Sequence, residues 1–151
     1  MILAVVMGQS VLAADKKPLT KEESAKVIEA AIRKAAKKPT GELTKADLEK
    51  VTRLFLYSKK LTEVPKGLEK LTQLEGLFLD DNQLTDVNGL EKLTQLELLY
   101  LYENQLTSVK GLEKLTQLTR LYLRDNPALT KAQIDELQKA LPKCKIYSDF
   151  N

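Results

Sequence analysis

Carboxylate side chains recur near the end of similar short segments of this sequence. They are the groups in the chain that are best suited to catalysis or metal binding. Asp81, Glu103 and Asp125 occupy the same position in three phrases, and Asp80 adjoins the first of them. Such oxygens are ligands for Ca²⁺, and a pair of them could act as acid and base in glycoside hydrolysis. However, the DxDxDG spacing of a calcium loop is missing, and the phrases are too short to form a sugar-holding cleft. We therefore predict no catalytic residue, no metal site and no cofactor.

The chain also lacks the side chains that most other catalytic sites require. It contains no histidine and a single cysteine, Cys144. Without histidine, Ser–His and Cys–His pairs and most zinc sites are excluded. One cysteine cannot form an internal disulfide. We interpret Cys144 as a buried core residue in a leucine position, and a reactive or intermolecular thiol is the alternative.

The carboxylates belong to a repeat of about 22 residues. Five lines of the pattern LxxLxLxxN, separated by 23, 22, 22 and 23 residues, begin at Val51, Leu74, Leu96, Leu118 and Leu141. This alignment places Cys144 and Ile146 at the positions of Leu121 and Leu123. It also places Lys59 where the three central lines have asparagine.

The repeat has the periodicity of a strand followed by a turn. Leu99 and Leu101 alternate with Tyr100, which is typical of a strand with one buried face. An asparagine follows each central strand, where a buried amide can bond the backbone groups of the turn; these are Asn82, Asn104 and Asn126. No single coil can bury its own leucines, so we expect neighbouring coils to stack around one core.

The 22-residue unit LxxLxLxxNxLxxVxGLxxLxx resembles the internalin-type leucine-rich repeat of bacterial surface proteins over roughly residues 51–148. The resemblance implies an α/β fold, a leucine-rich repeat solenoid. We expect a short, curved, right-handed coil with a parallel concave sheet of about five strands. The family also suggests adhesion or host contact. The sequence shows no wall-anchoring motif or long array, so we do not transfer that role.

We predict four segments along the chain: a signal peptide at 1–13, a tail and helical cap at 14–50, repeats at 51–128, and a capping helix with the last strand at 129–151. Thr20 with Glu23 forms a capping box before a helix predicted over residues 21–38. Similar boxes begin at Thr44 and Thr130. Lysines near the end of the first helix fit the helix dipole, and binding to a membrane surface is the alternative.

The first residues indicate export. Residues 1–12 are uncharged and mostly apolar, and small residues precede a cleavage point after Ala13. The absence of a basic start counts against this reading, although an upstream start codon would restore it. A buried N-terminal strand or helix is the alternative. We expect secretion, or a periplasmic or cell-envelope location, and a cytoplasmic location if the segment is not a signal.

Charge argues against nucleic acid as a partner. The formal net charge is +3, all of it in residues 15–50, whereas residues 51–151 carry 14 basic and 14 acidic side chains. Phosphate binding needs a basic stripe. Residues 1–12 are too short for a membrane span of about 20 residues, and no other stretch of the sequence could cross a membrane.

Aromatic side chains mark the candidate binding face. Seven of the eight aromatics fall at two outward positions of the predicted strands. The first row is Phe55, Phe78, Tyr100, Tyr122 and Lys145, and the second is Tyr57, Asp80, Tyr102, Arg124 and Tyr147. All of these except Lys145 are our predicted partner-binding residues. The rings could pack sideways to hold the sheet or form a recognition surface.

We therefore predict an exported, monomeric, non-catalytic module that binds another protein through this face. Two alternatives stay open. The same face could bind a glycan or cell-envelope polymer, with tyrosine rings stacked on sugars, or the chain could be a purely structural module.

Overall fold

Five short strands follow one another in a single parallel sheet, in the computed structural model of residues 17–151. They are β1 (Arg53–Phe55), β2 (Gly76–Phe78), β3 (Leu98–Tyr100), β4 (Arg120–Tyr122) and β5 (Lys145–Tyr147). The central residues pair in register and are buried, forming one row of the core: Leu54, Leu77, Leu99, Leu121 and Ile146. The predicted α/β leucine-rich repeat solenoid is confirmed. The predicted signal peptide lies outside the described residues.

A short 3₁₀ helix occupies the return path after each of the first three strands. These helices span Leu68–Lys70, Leu90–Lys92 and Leu112–Lys114. The glycine before each has a positive φ, 98° at Gly89, which glycine adopts without strain. The first glutamate of each helix accepts the N–H of that glycine, at 2.7 Å between Glu91 Oε2 and Gly89 N. In the repeated Gly-Leu-Glu motif, the glutamate carboxylate therefore caps the start of the 3₁₀ helix to which it belongs.

The predicted asparagine ladder is present and buried. Asn82 Oδ1 accepts the N–H groups of Lys59 at 3.1 Å and Leu61 at 3.0 Å. Its Nδ2 donates to the carbonyls of Leu56 and Leu79 at 2.8 and 2.9 Å. Asn82 thus closes the turn of the preceding line, where Lys59 replaces asparagine. Each rung bonds its own coil and the previous one, so the ladder ties coils together.

Helices cover both ends of the sheet. They are α1 (Lys21–Ala36), α2 (Lys45–Glu49) and α3 (Lys131–Ala140), and each begins with the predicted capping box. The first helix ends two residues earlier than predicted, because Lys37 adopts a left-handed conformation with φ 56°. Ile28 and Ile32 of α1 enter the core. Within residues 17–151 we find no helix both long and apolar enough to cross a membrane.

One carboxylate joins the two N-terminal helices. Asp47 in α2 accepts the N–H of its own N-cap, Thr44, at 2.9 Å and contacts Lys38 Nζ at 2.6 Å. Hydrogen bonding to Lys38, and then to Thr44, holds the pKa of Asp47 well below its ordinary value. Because Lys38 follows α1, this pair fixes the end of one helix against the start of the next.

The predicted alignment of the last line is wrong by two residues. Tyr122 pairs with Tyr147 rather than with Lys145, and Leu121 pairs with Ile146 rather than with Cys144. The last line is therefore KCKIYSDFN, and it starts 25 residues after Leu118. A ten-residue helix, α3, replaces the 3₁₀ helix in this return path, and Leu141 is its C-cap.

The corrected register places Asn151 at the ladder position of the last line, but over residues 17–151 the side-chain bonds of Asn151 stay within that line and do not reach the previous coil. Asn151 Nδ2 donates to the carbonyl of Ile146 at 2.7 Å, and its Oδ1 accepts the N–H of Ser148 at 2.8 Å. Cys144 precedes the strand instead of replacing a strand leucine. It is nonetheless 4% exposed, as the core interpretation of the thiol requires, and burial raises its pKa to about 11.

Candidate binding face

A column of five stacked rings crosses the outward side of the sheet. One ring comes from the last residue of each strand: Phe55, Phe78, Tyr100, Tyr122 and Tyr147. Successive ring centroids are 4.5, 4.9, 4.2 and 4.5 Å apart, and successive planes differ by 21°, 22°, 14° and 3°. We call these five residues the aromatic column.

The column follows directly from the sheet register. Parallel strands lie about 4.8 Å apart, and offset aromatic pairs are stable at centroid distances from about 4.5 Å upward. Rings at equivalent positions on neighbouring strands are therefore close to the spacing at which aromatic rings stack. Stacking covers most ring faces, so the exposed part of the central rings is mainly their edges and the tyrosine hydroxyls.

The second row lies two residues beyond the column. It consists of Tyr57, Asp80, Tyr102, Arg124 and, by the corrected register, Asp149. Tyr147 was predicted for this row and belongs to the column instead. Tyr57 and Tyr102 meet the column edge to face, with centroids 6.4 Å from Phe55 and 6.3 Å from Tyr100.

Asp80 and Tyr102 form a polar pair in the second row. Partial burial raises the pKa of Asp80, and hydrogen bonding to the Tyr102 hydroxyl opposes that rise. The charge of Asp80 in turn raises the pKa of Tyr102. A neutral Tyr102 hydroxyl can therefore donate to Asp80.

Arg124 is turned toward the end of the chain. Its Nε donates to the carbonyl of Ser148 at 3.4 Å, and its guanidinium also reaches the carbonyl of Asn151 at 3.5 Å. Arg124 is exposed, so it can contact a partner, but it also helps to hold the last turn in place.

The carboxylates considered for metal binding lie at one edge of the face. Asp81, Glu103 and Asp125 all have left-handed backbone conformations, with φ of 52°, 53° and 57°. Asp81 Oδ2 accepts a hydrogen bond from Ser58 Oγ at 2.6 Å. Over residues 17–151, no group of three or more His, Cys, Asp or Glu side chains is placed to hold a metal ion.

The opposite edge of the face is basic. The first residues of the strands include Arg53, Arg120 and Lys145, all exposed. Lys145 Nζ lies 5.1 Å from the centroid of the Tyr147 ring, within cation–π range. Charged strips of opposite sign therefore flank the aromatic column. Sequence reasoning missed this arrangement because it assigned Lys145 to the column.

A family model described as leucine-rich repeats in two copies matches residues 94–139. No curated protein matches the chain. Among solved structures, an internalin, InlF, from Listeria monocytogenes is 30% identical with a TM-score of 0.69; the match covers 80% of this chain and 35% of the internalin. Internalin C2 from the same organism is 26% identical with a TM-score of 0.70, covering 80% and 52%.

A leucine-rich repeat protein from Leptospira interrogans is 34% identical with a TM-score of 0.60, covering 71% of this chain and 28% of that protein. The chain thus spans between about a quarter and a half of these relatives. The repeat, the sheet register, the asparagine ladder and these likenesses agree. The chain is a leucine-rich repeat protein whose repeats are similar to those of bacterial internalins.

Proposed function

We propose that this chain is an exported, non-catalytic module that binds another protein through the aromatic column and the second row. The leucine-rich repeat fold is one of protein-interaction modules, which supports the general class. The proposed contact residues are Phe55, Tyr57, Phe78, Asp80, Tyr100, Tyr102, Tyr122, Arg124 and Tyr147. Export of a monomer after cleavage near Ala13 is part of the proposal, and the pattern of residues 1–13 supports it.

The aromatic column carries this proposal. Its rings are held by stacking, with successive ring centroids 4.2–4.9 Å apart, yet all five side chains remain at least partly exposed. Side chains that are already ordered lose little conformational freedom when a partner binds. Tyrosine combines a rigid apolar ring with a polar tip, which suits it to binding hot spots.

The same geometry disfavours the glycan alternative. A sugar stacks on the face of an aromatic ring, and the faces of Phe78, Tyr100 and Tyr122 are covered on both sides by neighbouring rings. A protein partner can instead use ring edges and hydroxyls, together with the charged strips. The packing role of the rings is compatible with both readings, because a column that holds the sheet also presents an ordered surface.

Capture of partners from extracellular and cell-surface fractions tests the proposal. The test variant is Tyr57→Ser/Tyr102→Ser, which alters the second row but leaves the column intact. The matched control is Gln95→Ser/Gln117→Ser, at exposed positions outside the face. We expect cross-linking and mass spectrometry to find a protein held by the native chain and the control, and lost by the test variant at an unchanged melting temperature.

Three results would contradict the proposal. Equal capture by the native chain and the test variant would place the contact elsewhere. Release of the captured material by soluble oligosaccharides would favour the glycan alternative. A Tyr100→Ser/Tyr122→Ser variant that loses stability without losing any captured protein would favour the structural module.

A further inference from the structure

A groove of about 750 Å³ lies between α1 and the first strand. One wall is a side of α1 that borders the core contact and presents Val27 and three alanines, Ala30, Ala31 and Ala35. The other wall includes Phe55 and Tyr57. The volume lies within the range of about 300–1,000 Å³ that is usual for ligand sites, and the small alanines keep the groove open.

The groove exposes more aromatic surface than the rest of the face. Phe55 and Tyr57 are each 50% exposed. The other four residues of the aromatic column are less exposed than these two and are only half-buried. The cause is their position at the sheet edge, because β1 has a neighbouring strand on one side only. Phe55 stacks on Phe78, and over residues 17–151 no ring stacks on its other face. That open face borders the groove.

Every charged side chain that lines the groove is basic. These are Lys34, Lys50, Arg53 and Lys59. Lys50 lies 3.6 Å from a carboxylate oxygen of Asp47. Of the other three, none forms an ion pair within the part of the chain that the structure describes. Three basic side chains without a carboxylate partner in residues 17–151 therefore surround the apolar walls of the groove.

We propose that this groove binds an acidic peptide segment that carries a large apolar side chain. The apolar side chain lies against the open face of Phe55 and beside Tyr57, while the flanking carboxylates pair with Lys34, Arg53 and Lys59. This specifies the chemistry of one partner and rests on the proposed function only in that Phe55 and Tyr57 belong to both surfaces.

Charge and shape favour a peptide over other anions. The repeat region is electrically balanced, so the basic residues form a local cluster and not the long stripe that a nucleic acid would require. The cluster also surrounds a recess between two elements, which a flat membrane surface cannot enter. A peptide can place one side chain in the recess and its carboxylates on the rim.

Fluorescence anisotropy with defined peptides tests the proposal on the chain described. The probe is a fluorescein-labelled peptide with a central Leu-Phe pair flanked on both sides by Asp and Glu. One control peptide replaces the acidic residues with Lys, and another replaces the Leu-Phe pair with Ser. We expect the native chain to bind the probe at least tenfold more tightly than either control peptide, with affinity falling as salt is raised.

Protein variants locate the site. We expect Arg53→Glu/Lys59→Glu to weaken probe binding tenfold or more. The matched control is Lys70→Glu/Lys92→Glu, which changes the net charge equally at exposed positions on the 3₁₀ helices. It should bind the probe within about twofold of the native chain.

Several outcomes would overturn the groove proposal. These are failure of the native chain to distinguish the probe from the control peptides, or equal weakening of probe binding by both charge-reversal pairs. Preference for a vesicle of anionic lipid or for single-stranded DNA over the probe would assign the groove to a different partner. Capture by a Tyr102→Ser variant, which changes the second row outside the groove, tests the proposed function separately.

Discussion

Replacing Asn82 with alanine should destabilise the chain more than any other single change in the ladder. Asn82 is 7% exposed, and its Oδ1 accepts two backbone N–H groups, those of Lys59 and Leu61. Each N–H left without an acceptor costs about 1–3 kcal/mol. Loss of the bonds to the carbonyls of Leu56 and Leu79 adds to this cost, so we expect a decrease of about 4 kcal/mol in the free energy of unfolding.

Asn104→Ala provides an internal comparison. Asn104 Oδ1 accepts one N–H, that of Leu84 at 3.0 Å, and its Nδ2 makes longer bonds than that of Asn82, at 3.0–3.3 Å. We therefore expect a smaller loss, about 2.5 kcal/mol. Asn88→Ala, at an exposed position, is the control and should change stability by less than about 0.5 kcal/mol.

Urea unfolding followed by far-UV circular dichroism measures all three variants. The slope of free energy against urea should stay constant, so that midpoints report stability. Because native domains are stable by only about 5–15 kcal/mol, the Asn82 variant should unfold at a much lower urea concentration. If Asn82→Ala were no more destabilising than Asn104→Ala, or if both matched Asn88→Ala, the hydrogen-bond count would not explain the role of the ladder.

Two further predictions concern titratable side chains. The pKa of Asp47 is lowered on folding, so its contribution to stability is present above its unfolded pKa of about 4 and is lost as the pH falls below that value toward the lower folded pKa. Asp47→Asn should therefore flatten the fall in melting temperature between about pH 5 and about pH 2, and an unchanged profile would contradict this. Cys144 is buried and its pKa is raised to about 11, so a thiol reagent at about pH 8 should label the chain only at the rate of unfolding; rapid labelling of the folded chain would show the thiol to be accessible.

The fold was predictable where the sequence repeats itself. Leu77, Leu99 and Leu121 lie in near-identical lines, so their burial and register could be predicted from period alone. The last line was aligned on Leu141, although that leucine ends α3. The segment IYSDFN was the better guide, because it aligns with LYLRDN without a gap and shares its apolar first residue, its tyrosine and its final asparagine.

The candidate site was predictable in part for the same reason. Period alone placed Phe78, Tyr100 and Tyr122 on one face. The groove could not be predicted, because it depends on how α1 lies against β1, and helix packing of this kind has no signature in local periodicity. Lys34 and Arg53 are 19 positions apart in sequence and line one recess only through that packing.

The aromatic column also allows the stacking of the coils to be followed by spectroscopy without an added label. The sequence contains five tyrosines and no tryptophan, so near-ultraviolet signals come from tyrosine and phenylalanine alone. Three of these tyrosines, Tyr100, Tyr122 and Tyr147, stand in one stack whose successive planes differ by 14° and 3°. Their electronic transitions should couple, giving a near-ultraviolet circular dichroism band that exists only while adjacent coils stay in contact. Comparing that band with the far-ultraviolet signal during unfolding would reveal whether coils separate before their backbones unwind.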